Sequence, residues 1–164
     1  MRTGNIIMQC LLDMIRAVWH VMPTSMGHLR GGKAFKGNEE SSDPKYSFHW
    51  TGKSGRLYVF EAPIDLLSFL TLYQKEWEQH SYVALCGLSE QGLFQMLEDV
   101  PYIRQVALCL DRDRAGLQAE ERIQKNLEGR GYREVFPLFP SGKDWNEDLQ
   151  ELMAKGRREN LQMQ

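Results

Sequence analysis

Residues 106–116 read VALCLDRDRAG: five apolar residues, Val106 to Leu110, run into two aspartates one residue apart, two arginines and the small pair Ala115-Gly116. A short run that is apolar at every position suits a strand buried on both faces, as in parallel sheets covered by helices. The chain continues AGLQAEERIQKNLEG, a helical pattern with Gly129 and Gly131 at its end. The stretch therefore predicts a strand that ends in carboxylates and turns directly into a helix. In an open α/β sheet, that strand end is where ligands bind.

The same alternation repeats on either side. RLYVFE, from Arg56, precedes a helical stretch with Pro63 in its first turn and Ile64, Leu66, Leu67, Leu70 and Tyr73 at helical spacing. SYVALC is followed by SEQGLFQMLEDV, and YREVFPLF by DWNEDLQELMAK. Four strand-helix pairs predict an α/β fold, a Rossmann-like, doubly wound and mostly parallel sheet flanked by helices. Upstream, KAFKG and KYSFHW read as two antiparallel strands around the polar turn NEESSDP, with TGKSG linking into the core. The first stretch, NIIMQCLLDMIRAVWHVM, is interrupted by Gln9, Asp13, Arg16 and His20 and reads as an amphipathic helix rather than a signal peptide or membrane span. The expected layout is a helical extension over 1–28, a basic hairpin and linker over 29–56, the α/β domain over 57–156 and a polar tail over 157–164.

With 164 residues and 42% hydrophobic content the chain can build one well-buried core. Its net charge of −2 is unevenly spread: eight Lys/Arg stand against four Asp/Glu up to Arg56, and twelve against eighteen beyond it. A basic front and an acidic back suit a nucleic-acid partner at the front and cations at the back, though halves of this size equally describe solvated surface. Cys10, Cys86 and Cys109 form no C-x-x-C pair, which excludes a zinc ribbon and argues against a disulfide framework. A reducing, cytoplasmic setting without membrane contact is the expectation.

Residues two apart on an extended backbone point to the same side, so Asp111 and Asp113 should both face the crevice. Glu61 ends the first strand of the domain in the same way. If the two strands are neighbours, three carboxylates converge, and like charges ~4 Å apart repel by about 4 kcal/mol per pair at a surface-like dielectric. Raised pKa values or a hard divalent cation must relieve that repulsion, and oxygen-only ligands favour Mg²⁺ or Mn²⁺ over zinc. Three other readings of DRDRAG compete. An EF-hand loop fails at Ala115 and Arg122, its fifth and twelfth positions. An aspartyl phosphatase would place its D-x-D after the opening strand of the domain, not the third. A solvated loop with local ion pairs is the bland alternative.

The combination VFEAPIDLLSF, VALCGLSEQGL, VALCLDRDRAGLQAEERI and FPSGKDWNEDL resembles the Toprim domain, the metal-binding module of bacterial primases, topoisomerases and some nucleases. The likeness is closest to primase-like Toprim proteins of plasmids and mobile elements and covers about Arg30 to Met153. It places the family's strand-end acid on Glu61 and its D-x-D pair on Asp111 and Asp113. It implies Mg²⁺ (or Mn²⁺) binding and nucleotidyl transfer, phosphoryl transfer or phosphodiester cleavage on nucleic acid, single-stranded DNA foremost, in replication or mobilisation, with a helicase or similar replication protein as a partner. Ala62 stands where the family commonly has glycine, and the cysteine zinc module and extra catalytic subdomain of replicative primases have no counterpart here. A non-catalytic Toprim module that binds nucleic acid or a replication partner is the alternative.

Several further residues carry two readings. Asp144 with Glu147 fits a helix N-cap and its capping-box partner, the role preferred over metal ligation, and Asn146 follows as a supporting or capping group. Lys143 stands before that helix start and is placed in the catalytic set for reaching a phosphate, a solvated lysine being the plain alternative. Gly87 permits a tight turn at the same crevice, and Gly116 opens the helix behind the D-x-D pair. Asp65, in the first turns of a helix, needs no more than the helix dipole to explain it. Arg30, Lys33, Lys36, Lys45, Lys53 and Arg56 outline a phosphate track with Tyr46, Phe48 and Trp50 interleaved, extended by Arg112 and Arg114, although the aromatics fit a hairpin core better. His20, His28, His49 and His80 form no spaced cluster.

Overall fold

The computed structural model describes residues 29–30, 33–34, 45–85, 87 and 89–162. The expected helix within 1–28, and Lys36, lie outside them. Among the described residues there are seven strands, β1 (Leu29–Arg30), β2 (Lys33–Ala34), β3 (His49–Trp50), β4 (Arg56–Phe60), β5 (Ser81–Ala84), β6 (Gln105–Cys109) and β7 (Glu134–Pro137), and four α-helices, α1 (Pro63–Leu72), α2 (Gln91–Asp99), α3 (Arg114–Gly129) and α4 (Trp145–Gln162). Helix α4 continues into the stretch read as a polar tail, as far as Gln162.

Strands β3 to β7 form one sheet in the order β3-β5-β4-β6-β7, with β4 to β7 parallel and β3 antiparallel on β5. The alternation of side chains along each strand creates two cores. Leu57, Val59, Val83, Val106 and Leu108 face α2 and α3 with Leu93, Leu97, Ile123 and Leu127. Phe60, Tyr82, Ala84, Ala107 and Cys109 face the other way, against Leu66, Phe69 and Leu70 of α1 and Trp145 of α4. Each central strand is thus apolar at nearly every position because both faces are covered, which is the pattern that marked them in the sequence.

The upstream strands pair differently from the sequence expectation. Lys33 and Ala34 pair as β2 with β1 and not with KYSFHW, and β3 adds to the sheet edge through His49–Val83 and Trp50–Tyr82. Burial decides this, since Phe48 enters the core and Trp50 packs on Trp77 with ring centroids 5.1 Å apart. To bring Trp77 there, α1 stops at Leu72, earlier than its apolar periodicity allows, and the chain passes through Glu76 at φ 57° into a short 3-10 turn over Trp77–Gln79.

Helix ends are fixed by local chemistry. Helix α3 closes in a Schellman turn: Tyr132 N donates to Leu127 O at 3.1 Å and Gly131 N to Glu128 O at 3.0 Å, with Gly131 at φ 92° where a side chain is disfavoured. At its start α3 runs so close to the preceding strand end that a Cβ on Gly116 would lie 2.0 Å from the Asp111 carbonyl oxygen. That approach holds the D-x-D loop against the first turn of α3. Accordingly, Gly116→Ala should lower unfolding stability in urea by about 1–3 kcal/mol or more through overpacking. Gly129→Ala, where a Cβ meets nothing within 4 Å, should raise it by roughly 0.5 kcal/mol.

Candidate functional site

Strand β4 lies between β5 and β6, and the chain leaves β4 for α1 on one face of the sheet but β6 for α3 on the other. That is the switch point at which open α/β sheets form a crevice. Glu61 follows β4 directly, and Asp111 stands two residues beyond Cys109, the partner of Phe60 in the β4–β6 register. The sequence-derived acids therefore flank the switch point on adjacent strands. Gly87 closes the crevice from β5, donating its N–H to Glu61 O at 3.2 Å from a backbone at φ 119°.

The carboxylates divide according to what they receive from the backbone. Asp113 caps α3, its Oδ1 accepting from Ala115 N and Gly116 N at 3.0 Å each. Its Oδ2 faces Lys143 Nζ at 3.8 Å. The two amide bonds, Gly116 first, and Lys143 hold the Asp113 carboxyl below its usual range despite some desolvation. Glu61 has no such cap. Burial pushes its carboxyl up, and Asp111, Asp113 and Asp65 push it further, with Lys143 alone opposing them. Asp111 brings a buried Oδ1 atom to this group.

Asp65, assigned only a dipole role from sequence, belongs to this neighbourhood. It is buried, its Oδ1 accepts from Asn146 N at 3.3 Å, and desolvation followed by the charge of Asp111 raises it to about 6. The signal for it was proximity in sequence: Asp65 lies in the first turn of the helix that starts two residues after Glu61. Asn146 is held on its other side by Ser68 Oγ, which donates to Asn146 Oδ1 at 3.4 Å.

The loop before α4 is drawn in by the helix's own acids. Asp144 Oδ1 accepts from Glu147 N at 2.8 Å, the expected N-cap. Glu147 does not complete a capping box on Asp144; its Oε2 accepts from Lys143 N at 2.7 Å instead. Asp148 accepts from Ser141 N and Gly142 N, both at 2.7 Å. Arg112 N donates to Lys143 O at 2.7 Å, tying this loop to the D-x-D loop. Trp145, not singled out from sequence, donates its indole N–H to Cys109 O at 3.0 Å.

Among the described residues, no three His, Cys, Asp or Glu side chains already stand together as a ligand set. The acids share an electrostatic neighbourhood, with Asp113 oriented by its cap and Asp65 by Asn146. Among the described residues, Lys45, Lys53 and Arg56 of the basic front do not gather here. Arg56 opens β4 at its far end, where Nε donates to Gln105 Oε1 at 2.9 Å. Lys45 lines a small cleft against α2 with Tyr46, His49 and Asp99, and Lys53 is exposed before β4. Phe48 and Trp50 pack at the edge of the sheet, not in a hairpin, and Tyr46 is exposed. Arg30 and Lys33 lie in β1 and β2. Arg112 and Arg114 are exposed beside the acids.

A family model described as Toprim-like matches residues 58–149, and the chain belongs to that family. It is 30% identical over 149 residues to the uncharacterized protein pXO2-78 of Bacillus anthracis, covering 76% of this chain and 42% of that protein. A second relative, the uncharacterized MG010 homolog of Mycoplasma pneumoniae, is 29% identical over 102 residues, covering 62% of this chain and 46% of that protein. The chain thus spans less than half the length of these relatives. Among solved structures, the primase fragment of the bacteriophage T7 primase-helicase protein is similar over 64% of this chain and 44% of that chain, at 23% identity and a TM-score of 0.45. No helix among the described residues is long and apolar enough to cross a membrane.

The raised carboxyls set the sign of the pH dependence. A folded Asp65 with a pKa of about 6, against 3.8 for an ordinary aspartate, binds its proton more tightly than the unfolded chain does. Stability is then highest below the unfolded value and falls as pH rises through that window, with Glu61 acting in the same direction. In metal-free buffer, Asp65→Asn should flatten this decline. The variant should be more stable than wild type at pH 7.5, by at most about 3 kcal/mol, with no gain near pH 3.5, as read by urea titration at each pH.

Proposed function

We propose that the protein is a Mg²⁺- or Mn²⁺-dependent Toprim enzyme acting on phosphodiester bonds of nucleic acid, with Glu61, Asp111 and Asp113 as the cation-holding acids and Lys143 as the group that meets a phosphate. The observation that carries this is geometric: Glu61 and Asp111 follow adjacent strands β4 and β6 at the switch point, with Lys143 3.8 Å from Asp113, and burial together with the charges of Asp111, Asp113 and Asp65 raises the Glu61 carboxyl. Such an excess of negative charge at a strand-end crevice fits a hard divalent cation, and the donors on offer are all oxygens. When bound, the cation stabilises charge on the attacking and leaving oxygens of a phosphodiester.

The chain's own groups have separable tasks. The α3 cap fixes Asp113 and leaves its Oδ2 towards the site. Lys143, held through both its N–H and its carbonyl, presents an ammonium that a phosphate oxygen can take over from Asp113. Glu61, whose carboxyl keeps its proton to higher pH than an ordinary glutamate, suits either cation binding or proton transfer. Single-stranded DNA in a reducing cytoplasm, with a helicase or other replication or mobilisation protein as partner, is the setting we propose. A second reading, a non-catalytic Toprim module binding nucleic acid or such a partner, draws on one fact: Asp113 is already engaged by its cap and by Lys143.

Labelled single-stranded DNA incubated with the protein and Mg²⁺ or Mn²⁺ should be cleaved or extended, with loss of activity in EDTA. Asp111→Asn should lower the rate at least ~100-fold. Metal-dependent DNA binding without turnover would favour the second reading. Calorimetric Mn²⁺ binding that is equal in wild type and Asp111→Asn would contradict the cation site itself.

A further inference from the structure

The amino ends of the parallel strands carry charge of the opposite sign to the carboxyl ends. Arg56, Gln105 and Glu134 stand in register across the first residues of β4, β6 and β7. Arg56 donates to Gln105, and Gln105 in turn to the Glu134 carboxylate. Beside this row opens a cleft of about 410 Å³ lined by Arg104, Arg130, Gly131, Tyr132, Arg133 and Glu134. Three guanidinium groups stand there against one carboxylate that already accepts from Gln105.

Two of the three arginines are held before any ligand arrives. Arg104 Nη1 donates to the carbonyls of Pro101 and Ile103. The Arg130 guanidinium lies 3.8 Å from the centroid of the Phe94 ring. The Schellman turn at Gly131 sets Arg130 and Arg133 on the same cleft. Guanidinium groups match phosphate oxygens in geometry, and fixing them in advance reduces the ordering cost of binding.

From this cleft β7 leads along the edge of the sheet towards the acids. It carries Phe136, 37% exposed, and the chain just beyond the strand carries Phe139, 41% exposed. The chain then enters the loop that places Lys143 beside Asp113. The edge is blunted against strand addition, because Leu138 N donates inward to Leu108 O, so the neighbouring Pro137 occupies an outward-facing position without an N–H. What the edge offers is cationic groups and aromatic faces, the combination that binds single strands without reading sequence.

We infer that the β7 edge is a track for single-stranded nucleic acid, with phosphates held at Arg104, Arg130 and Arg133, bases stacked on Phe136 and Phe139, and the strand led to the switch-point acids. The inference rests on the proposed action on nucleic acid and adds where the strand runs. It places the track on the back half of the chain, away from the basic front that the sequence favoured.

Fluorescence anisotropy with a labelled oligothymidylate over a range of salt concentrations tests it. Substituting Arg104, Arg130 and Arg133 together by Gln should weaken binding and reduce the slope of log K against log salt by about 2. Arg133→Glu, at an exposed position, should weaken binding with unchanged thermal stability, which guards against misfolding of the triple variant. Phe136→Ser with Phe139→Ser should weaken binding about tenfold or more while keeping the slope. If wild type binds and these variants bind equally well, the track is wrong and the proposed function stands. If inorganic pyrophosphate displaces the oligonucleotide at equal phosphate concentration, the cleft is a small-anion site and the track is again wrong. Absence of any binding by wild type would overturn both the track and the proposed function.

Discussion

The indole of Trp145 ties together the three parts that make up the site. It is 1% exposed, donates its N–H to the carbonyl of Cys109 at 3.0 Å, and meets Phe69 edge-on with ring centroids 4.9 Å apart. Cys109 ends the strand that leads to the D-x-D pair, Phe69 belongs to the helix that carries Asp65, and Trp145 itself opens the helix capped by Asp144. One buried side chain therefore sets the relative position of β6, α1 and α4. Its polar atom is satisfied at a strand end whose carbonyl would otherwise need another donor, and a buried polar group left unmatched costs about 1–3 kcal/mol. The adjoining Arg112–Lys143 backbone bond extends the same tie from the strand end to the loops.

Both α3 and α4 begin at this end of the sheet, so their partial positive charges fall on the acids. Backbone amides of α3 hold Asp113 ionised, and those of α4 are met by Asp144, with Asp65 accepting one more. Glu61 follows a strand, not a loop leading into a capped helix turn, and receives no such bond among the described residues. Burial and the charges of Asp111, Asp113 and Asp65 therefore raise its carboxyl with Lys143 alone opposing them, and the same arrangement concentrates negative charge beside Lys143. At the other end of the strands, on the order of 16 Å away for five residues, arginines dominate. The sheet is polarised along its strands, which fits a polyanion held at one end and a cation at the other.

Much of this was legible in the sequence because it depends on local pattern. Uninterrupted apolar runs marked β4, β5 and β6, and a glycine pair marked the end of α3. The strand-terminal acids were legible as acids, but that β4 and β6 are neighbours was only a condition in the sequence and is supplied by the sheet order. The pairing of β3 was not legible, because it depends on where Phe48 and Trp50 find burial, among residues some thirty positions away. Asp65 looked like an ordinary helix-start acid since its partner, Asn146, lies 81 residues on. The arginine cleft draws on the loop before β6 and the turn after α3, so no short window of sequence contained it. The basic front, conspicuous in composition, does not converge among the residues described.

The proposed cation site at Glu61, Asp111 and Asp113 can be seen in crystals of the protein soaked in Mn²⁺, with anomalous scattering data collected from them. A Mn²⁺ anomalous peak is expected between the carboxyl ends of β4 and β6, in contact with Glu61 and Asp111 and lost from crystals of Asp111→Asn. A crevice without such a peak, or a Mn²⁺ ion bound only elsewhere on the surface, would contradict it.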